Sequence, residues 1–204
     1  MKLFYSPGAC SLSPHIVARE LGIDLELVRV NTKTKTIATE GDYWKVNPKG
    51  YVPALQINGE VLTEGPAIVQ YLGDLKPEAG LMPKAGTLER YRQVEMLSYI
   101  TSEIHKTYSV LFGAATPEDV KAERREYLRK RYKLLEERLA GRDYLFGSQF
   151  TAADAYLFTV TNWSKYVHLD LADMPNLLAF QKRVAARPAV QAALKEESPL
   201  KQKA

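Results

Sequence analysis

Cysteine is nearly absent: Cys10 is the single one among 204 residues. One thiol cannot close an internal disulfide, which excludes a disulfide-stapled scaffold and an internal dithiol redox cycle. Long apolar runs are missing too, and no stretch approaches the ~18 residues that a membrane-spanning helix needs. The opening Met1-Lys2-Leu3-Phe4-Tyr5-Ser6-Pro7 reaches proline before a signal-peptide apolar region can develop, so a cytoplasmic protein is expected. Histidine is scarce: His15, His105 and His168 stand far apart, outside any short ligand pattern, and no metal site is expected. No phosphate loop or nucleophile elbow occurs. The formal net charge is only +4, and the basic excess gathers in Lys121–Lys133, where seven basic residues face two acidic ones. Nucleic-acid binding would require a broader basic patch or a known motif, so this run reads as a solvated helix face. What is present is 46% hydrophobic and 25% charged residues, an ordinary globular composition at a length of one or two domains.

The two parts of the chain differ in periodicity. Lys2–Tyr5 reads as a strand ended by Ser6-Pro7-Gly8, and Pro14–Leu21 as a helix opened by proline and stopped at Gly22. Leu25–Val30 alternates as a strand. Asn58-Gly59 between Ala54–Ile57 and Val61–Thr63 signals a hairpin, and Ala67–Leu72 a helix. The order β-α-β-loop-β-β-α makes a small α/β domain over 1–80. Residues 81–87 lie in a Pro- and Gly-rich linker. From 88 to 204 the spacing is helical throughout. Val94, Leu97, Thr101, Ile104, Tyr108 and Leu111 form one apolar stripe, and Leu128, Tyr132, Leu135 and Leu139 another. Ala152–Tyr166, Pro175–Ala186 and a short helix from Pro188 follow, and the polar tail from Lys195 is expected to fray.

Three motifs could carry chemistry. Cys10 lies between the first strand and first helix, where unpaired N–H groups and the helix dipole favour thiolate; the alternative is an inert, buried thiol. Pro53 stands directly before a strand, which a cis Val52–Pro53 bond would accommodate, leaving the Val52 N–H and C=O to face outward toward an extended peptide; an ordinary trans loop is the alternative. Gly65 and Pro66 open a helix whose first N–H groups suit a carboxylate, with Glu64 beside them to hold an ammonium, or simply exposed. Taken together these describe a ligand with a sulfur, a peptide backbone and a zwitterionic head, as glutathione has. On the later helix Ser98, Ser102, His105 and Ser109 form a polar stripe beside the apolar one, suited to the wall of an interdomain cleft. Thr151 and Asp154 form a capping-box-like pair, assigned to folding.

The α/β order, Val52-Pro53-Ala54-Leu55 and the Glu64–Leu72 segment ten residues on resemble a glutathione transferase with a thioredoxin-like first domain and an all-helical second. Cys10 within Tyr5–Ser11, and Ser102-Glu103-Ile104-His105-Lys106, resemble its bacterial beta class. The resemblance spans nearly the whole chain. It implies a cytoplasmic homodimer using glutathione as co-substrate, without a metal, to conjugate hydrophobic electrophiles in detoxification. Glutathione-dependent isomerisation or dehalogenation, disulfide exchange at Cys10, and a non-catalytic binding module are the alternatives. The resemblance further implies Cys10 at the glutathione sulfur, Val52 and Pro53 at its cysteinyl backbone, and Glu64 with Gly65 at its γ-glutamyl end. Lys35, Ser98, Ser102, Glu103, His105 and Lys106 complete the implied contacts, with Cys10 and His105 as the catalytic pair. Two positions depart from the family pattern. Gly65 replaces a serine common in many animal classes, and Ser98 replaces an asparagine frequent in the beta class. Tyr108, Phe112 and Trp163 are candidates for the second-substrate pocket or for core.

Overall fold

The computed structural model describes residues 1–37 and 41–198. Strand β1 (Lys2–Tyr5) is followed by helix α1 (Leu12–Glu20), strand β2 (Glu26–Asn31), the short strands β3 (Thr36–Ile37) and β4 (Gly41–Asp42), and a 3-10 turn at Tyr43–Lys45. Strands β5 (Ala54–Ile57) and β6 (Glu60–Thr63) and helix α2 (Gly65–Leu75) complete this half. The strands form one mixed sheet in the order β4-β3-β2-β1-β5-β6, with β1 parallel to β2 and antiparallel to β5.

Local chemistry explains most of these boundaries. Asn58 and Gly59 both take positive φ, +49° and +89°, as a two-residue turn between right-twisted strands requires. In β1 Leu3, Phe4 and Tyr5 are all buried, as in a central strand covered on both faces. In β2 only Val28 and Val30 are, so this strand shows period two. Helix α1 starts two residues ahead of the predicted Pro14. Proline is tolerated there because the first-turn N–H groups have no intrahelical acceptor. Strands β3 and β4 were not expected, since two residues cannot display a periodic pattern.

The chain divides into two compact units, Met1–Gly80 with the described residues from Arg187 on, and Leu81–Ala186. Helix α8 (Pro188–Glu197) therefore packs in the first unit, against α1, although its periodicity groups it with the helical half. Both α2 and α8 cover α1, which is why its residues from Leu12 to Ala18 are all buried. Arg187 meets Glu20 through Nε and Nη2 at 2.6 and 2.8 Å, and Arg19 meets Glu196 at 3.0 Å. The tail is thus anchored through Glu197 rather than frayed from Lys195; residues 199–204 lie outside the described part.

The second unit is helical: α3 (Leu88–Tyr99), a π-helical stretch Ile100–His105, α4 (Lys106–Leu111), α5 (Glu118–Leu139), α6 (Ala152–Thr161) and α7 (Pro175–Ala185). The predicted stripe Leu128, Tyr132, Leu135 and Leu139 is buried in full. All ten residues of α6 are buried. Its start is fixed by Asp154, whose Oδ2 accepts from the Thr151 N–H at 2.8 Å and hydroxyl at 2.6 Å, while Oδ1 accepts from the Leu145 N–H at 2.8 Å. Of the seven basic residues in the run on α5, Arg125 pairs with Glu118, Arg129 with Asp173 at 2.7 Å and Arg131 with Glu103 at 2.8 Å.

Candidate functional site

The turn from β1 into α1 is closed by Ser11. Its Oγ accepts from the Ser6 N–H and donates to the Ser6 carbonyl, both at 3.2 Å, and the Ala9 N–H reaches the same carbonyl at 3.0 Å. Gly8, at φ +69°, donates its N–H to Glu197 Oε2 at 2.9 Å. Oε1 of the same carboxylate meets His15 Nδ1 at 3.1 Å, and His15 Nε2 meets Glu196 Oε2 at 2.8 Å. Both His15 and Glu197 are buried, so the loop that carries the thiol is braced from α8.

Cys10 ends that loop, half-buried, and its S–H donates to the Val52 carbonyl at 3.1 Å between heavy atoms. Burial pushes the thiol up to about 12, the Cys10 and Ser11 N–H groups pull it down only in part, and the Glu64 and Glu197 carboxylates push it further up. The expectation of a favoured thiolate is thereby corrected. The helix-end donors act in the expected direction, but desolvation of the charged sulfur outweighs them.

Val52–Pro53 is cis, as the position of Pro53 suggested. The preceding carbonyls are all taken: Gly50 O by Lys35 Nζ at 2.7 Å, and Tyr51 O by Tyr43 Oη at 2.8 Å and Asn47 Nδ2 at 2.7 Å. Lys35 also lies over the rings of Trp44 and Tyr51, at 5.9 and 5.3 Å from their centroids. Among the described residues no partner is recorded for the Val52 N–H, whereas its C=O faces Cys10 rather than pointing freely outward.

Glu64 caps α2 at φ +70° and ψ 115°, a conformation that costs a non-glycine residue about 1–3 kcal/mol and is concentrated at functional sites. Its carbonyl accepts from Ala67 and Ile68, both at 3.0 Å, and Pro66 has no N–H. Among the described residues that leaves the Gly65 N–H as the one open donor of the turn, fewer than the sequence suggested. The Glu64 carboxylate holds Lys49 Nζ at 2.7 Å, and Lys49 also donates to Thr63 Oγ1 at 3.0 Å. A methyl group built on Gly65 would lie 3.9 Å from both Pro53 Cγ and Ser13 Oγ, so the three motifs meet at this glycine.

Ser98, Ser102, Glu103, His105 and Lys106 belong to the second unit, where the structure does not gather them into one cluster. The Lys106 N–H bonds five residues back to Thr101 O, and this π register shifts the face set by 3.6-residue spacing. Ser98 and Ser102 are exposed and donate to their own helix, to Val94 O at 2.9 Å and Ser98 O at 3.1 Å. Glu103 accepts from Tyr127 Oη at 2.5 Å and pairs with Arg131, tying this helix to α5. Lys106 is exposed. His105 is half-buried, its Nδ1 2.5 Å from Tyr156 Oη and its ring edge-on to Trp163 with centroids 4.9 Å apart. Of the aromatic candidates, Tyr108 and Trp163 are core and Phe112 is exposed. Sequence reasoning missed Lys49, Tyr156 and the His15–Glu197 brace. The one available signal was Lys49, which lies inside the motif around Pro53.

Comparisons with known proteins agree along the chain. The family described as Glutathione S-transferase, N-terminal domain matches residues 8–75, and Glutathione S-transferase, C-terminal domain matches residues 81–188. Glutathione S-transferase GstA of Escherichia coli O157:H7 is 46% identical over 198 residues, covering 97% of this chain and 98% of the relative. A sphingomonad glutathione S-transferase solved in complex with glutathione superposes with a TM-score of 0.94 at 46% identity, over 98% of this chain and 100% of that one. A bacterial beta class glutathione S-transferase from Sphingomonas chungbukensis gives 0.93 at 44% identity, again over 98% and 100%.

Proposed function

The chain belongs to the glutathione transferase family, in its bacterial beta class, and we propose that Cys10, Val52 and the Glu64–Gly65 turn grip glutathione while its sulfur attacks a small hydrophobic electrophile. The observation that carries this reading is the 3.1 Å contact of Cys10 Sγ with Val52 O beside an N–H that has no partner among the described residues. Glutathione runs past this point extended. The Val52 N–H donates to its cysteinyl carbonyl, the Glu64 carboxylate takes its γ-glutamyl ammonium, and the Gly65 N–H takes the adjoining carboxylate. Lys35, fixed on Gly50 O, holds the loop segment that presents Val52 and offers charge to the glycyl end.

At neutral pH Cys10 stays a thiol. It therefore serves as a hydrogen-bond donor to the glutathione thiolate, which lowers the cost of the anion before it attacks. This favours conjugation over disulfide exchange, which needs Cys10 itself ionised. His105 as a catalytic residue and Lys106 as a glutathione contact enter the proposal through the family resemblance, and Phe112 is exposed. Ser98 and Ser102 take secondary roles, because their hydrogens are committed to helix carbonyls, and Glu103 holds the helix to α5. A homodimer and a cytoplasmic location belong to the same proposal.

Titration calorimetry with glutathione, followed by turnover of an activated aryl halide, tests it. Binding at sub-millimolar glutathione and conjugation that survives C10S in weakened form are the expected results. No heat at millimolar glutathione would leave a non-catalytic module of the same fold as the better reading. Turnover of isomerase or dehalogenase substrates alone would move the assignment within the family.

A further inference from the structure

Lys35 is held at its backbone and at its ammonium. It sits at φ +57°, a left-handed conformation uncommon for a residue with a side chain. Its N–H donates to Asn31 O at 2.8 Å, and its own carbonyl accepts from the Tyr43 N–H at 2.9 Å. At the far end, Nζ donates to Gly50 O at 2.7 Å and lies 5.9 and 5.3 Å from the ring centroids of Trp44 and Tyr51. Both separations are those of a cation over an aromatic face. Trp44 rests in turn on Gly50, where an added methyl group would come within 2.6 Å of two of its ring carbons. Lysine, glycine and the two rings thus form one cradle inside the first unit.

The core gives no reason for these rings, since Trp44 is 48% exposed and Tyr51 69%. Holding a lysine still costs rotamer freedom, which the carbonyl and the two aromatic faces offset. A solvated charge needs no such restraint, whereas a receptor gains from it, because the ligand then does not have to order the side chain. Gly50 O uses one ammonium hydrogen, and among the described residues no carboxylate is paired with Lys35. Lys35 meets the chain at Gly50, two residues ahead of Val52, and the Glu64–Gly65 turn meets it at Pro53, just beyond. A tripeptide extended along Val52 with its γ-glutamyl head at Glu64 brings its other end to Lys35. We infer that Trp44 and Tyr51 are positioning residues: their ring faces, with the bare Gly50 beneath, fix the Lys35 ammonium where the glycyl carboxylate arrives, and so make the site select a free carboxylate over a neutral group there. This rests on the reading of Val52 and the Glu64–Gly65 turn as the glutathione site.

The test is calorimetry with glutathione and with its glycyl monoethyl ester, and the readout is the ratio of the two affinities. The parent should prefer glutathione about tenfold, as one charge-assisted contact gives, and K35M should bind the two alike. Y51L and W44L should each lower the ratio about threefold, the worth of one exposed cation–π contact, while Y51F, which keeps the ring, retains it. In the K35M background Y51L should leave the ratio unchanged, since the ring acts through the ammonium. A parent that binds the ester as tightly as glutathione overturns the inference. So does an unmoved ratio in Y51L or in folded W44L, the result for rings that merely support the loop and weaken both ligands equally. A threefold loss from Y51L that persists in K35M also overturns it, by placing the ring on the ligand itself. The exposed Tyr51 ring makes Y51L decisive even where W44L fails to fold. Absence of heat with both ligands in the parent is failure of the wider reading, whereas binding of both with an unmoved ratio is failure of this inference alone.

Discussion

Replacing Glu197 should disturb a site to which the residue is remote in sequence. Its buried carboxylate accepts the Gly8 N–H at 2.9 Å and His15 Nδ1 at 3.1 Å. E197A leaves the buried His15 Nδ1 without this acceptor, whereas the Gly8 N–H lies on an exposed residue and can turn to water. One stranded buried donor costs about 1–3 kcal/mol, so the variant should lose about that much. E197Q keeps one carbonyl oxygen but turns an NH2 toward the other donor, and should lose about half as much. A domain with about 5–15 kcal/mol of stability survives either change. Urea unfolding followed by fluorescence gives the loss from the midpoint shift at constant slope. Because Gly8 precedes Cys10 by two residues, glutathione affinity should weaken in parallel. An E197A protein within about 0.5 kcal/mol of the parent would refute the reasoning, since that is the range of ordinary surface changes.

Cys10 should react sluggishly with iodoacetamide at neutral pH, the rate climbing with pH well past 10 instead of levelling near the ordinary thiol value. Above about 9 the unfolded chain releases this proton while the folded chain keeps it to about 12, so stability should fall across that window, and C10S should flatten the fall. K49M removes the cation that competes for Glu64; because exposed pairs are worth about 0–1 kcal/mol, glutathione affinity should rise a few-fold at most, less at high salt, whereas weaker binding would place Lys49 on the ligand. D154A should lower the unfolding midpoint sharply, since cap loss costs about 0.5–2 kcal/mol and the stranded Leu145 N–H about 1–3 more, with glutathione affinity retained at low temperature.

What could be read from sequence was chemistry that acts over a few residues. Asn58-Gly59 dictated a hairpin, Pro66 a helix start, Thr151 and Asp154 a cap, and the leucine spacing of α5 a buried stripe. The grouping of Cys10, Val52 and Gly65 was also legible, because each motif stands at the end of an element whose partner strand or helix was recognisable. Long-range contacts were not. His15 and Glu197 are separated by 182 positions, and His105 and Tyr156 by 51, so neither pair leaves a local pattern. The π turn adds one residue to a helical repeat, a change that averaging at 3.6 residues per turn conceals. The ionisation of Cys10 was misjudged for a similar reason: a helix start is visible in the sequence, whereas the atoms that exclude water from the sulfur come from elsewhere in the chain.

The brace between Gly8 and Glu197 has a consequence for biosynthesis. Its two ends are 189 positions apart, so the strands of the first unit emerge from the ribosome long before the carboxylate that steadies the thiol-bearing turn. A nascent chain can pair its sheet early, yet the turn waits for closure of a very long loop, a step whose entropy must be met late. A product cut short ahead of position 197 would keep the sheet and lose the brace, so translational truncation would register at Cys10, in the part made first.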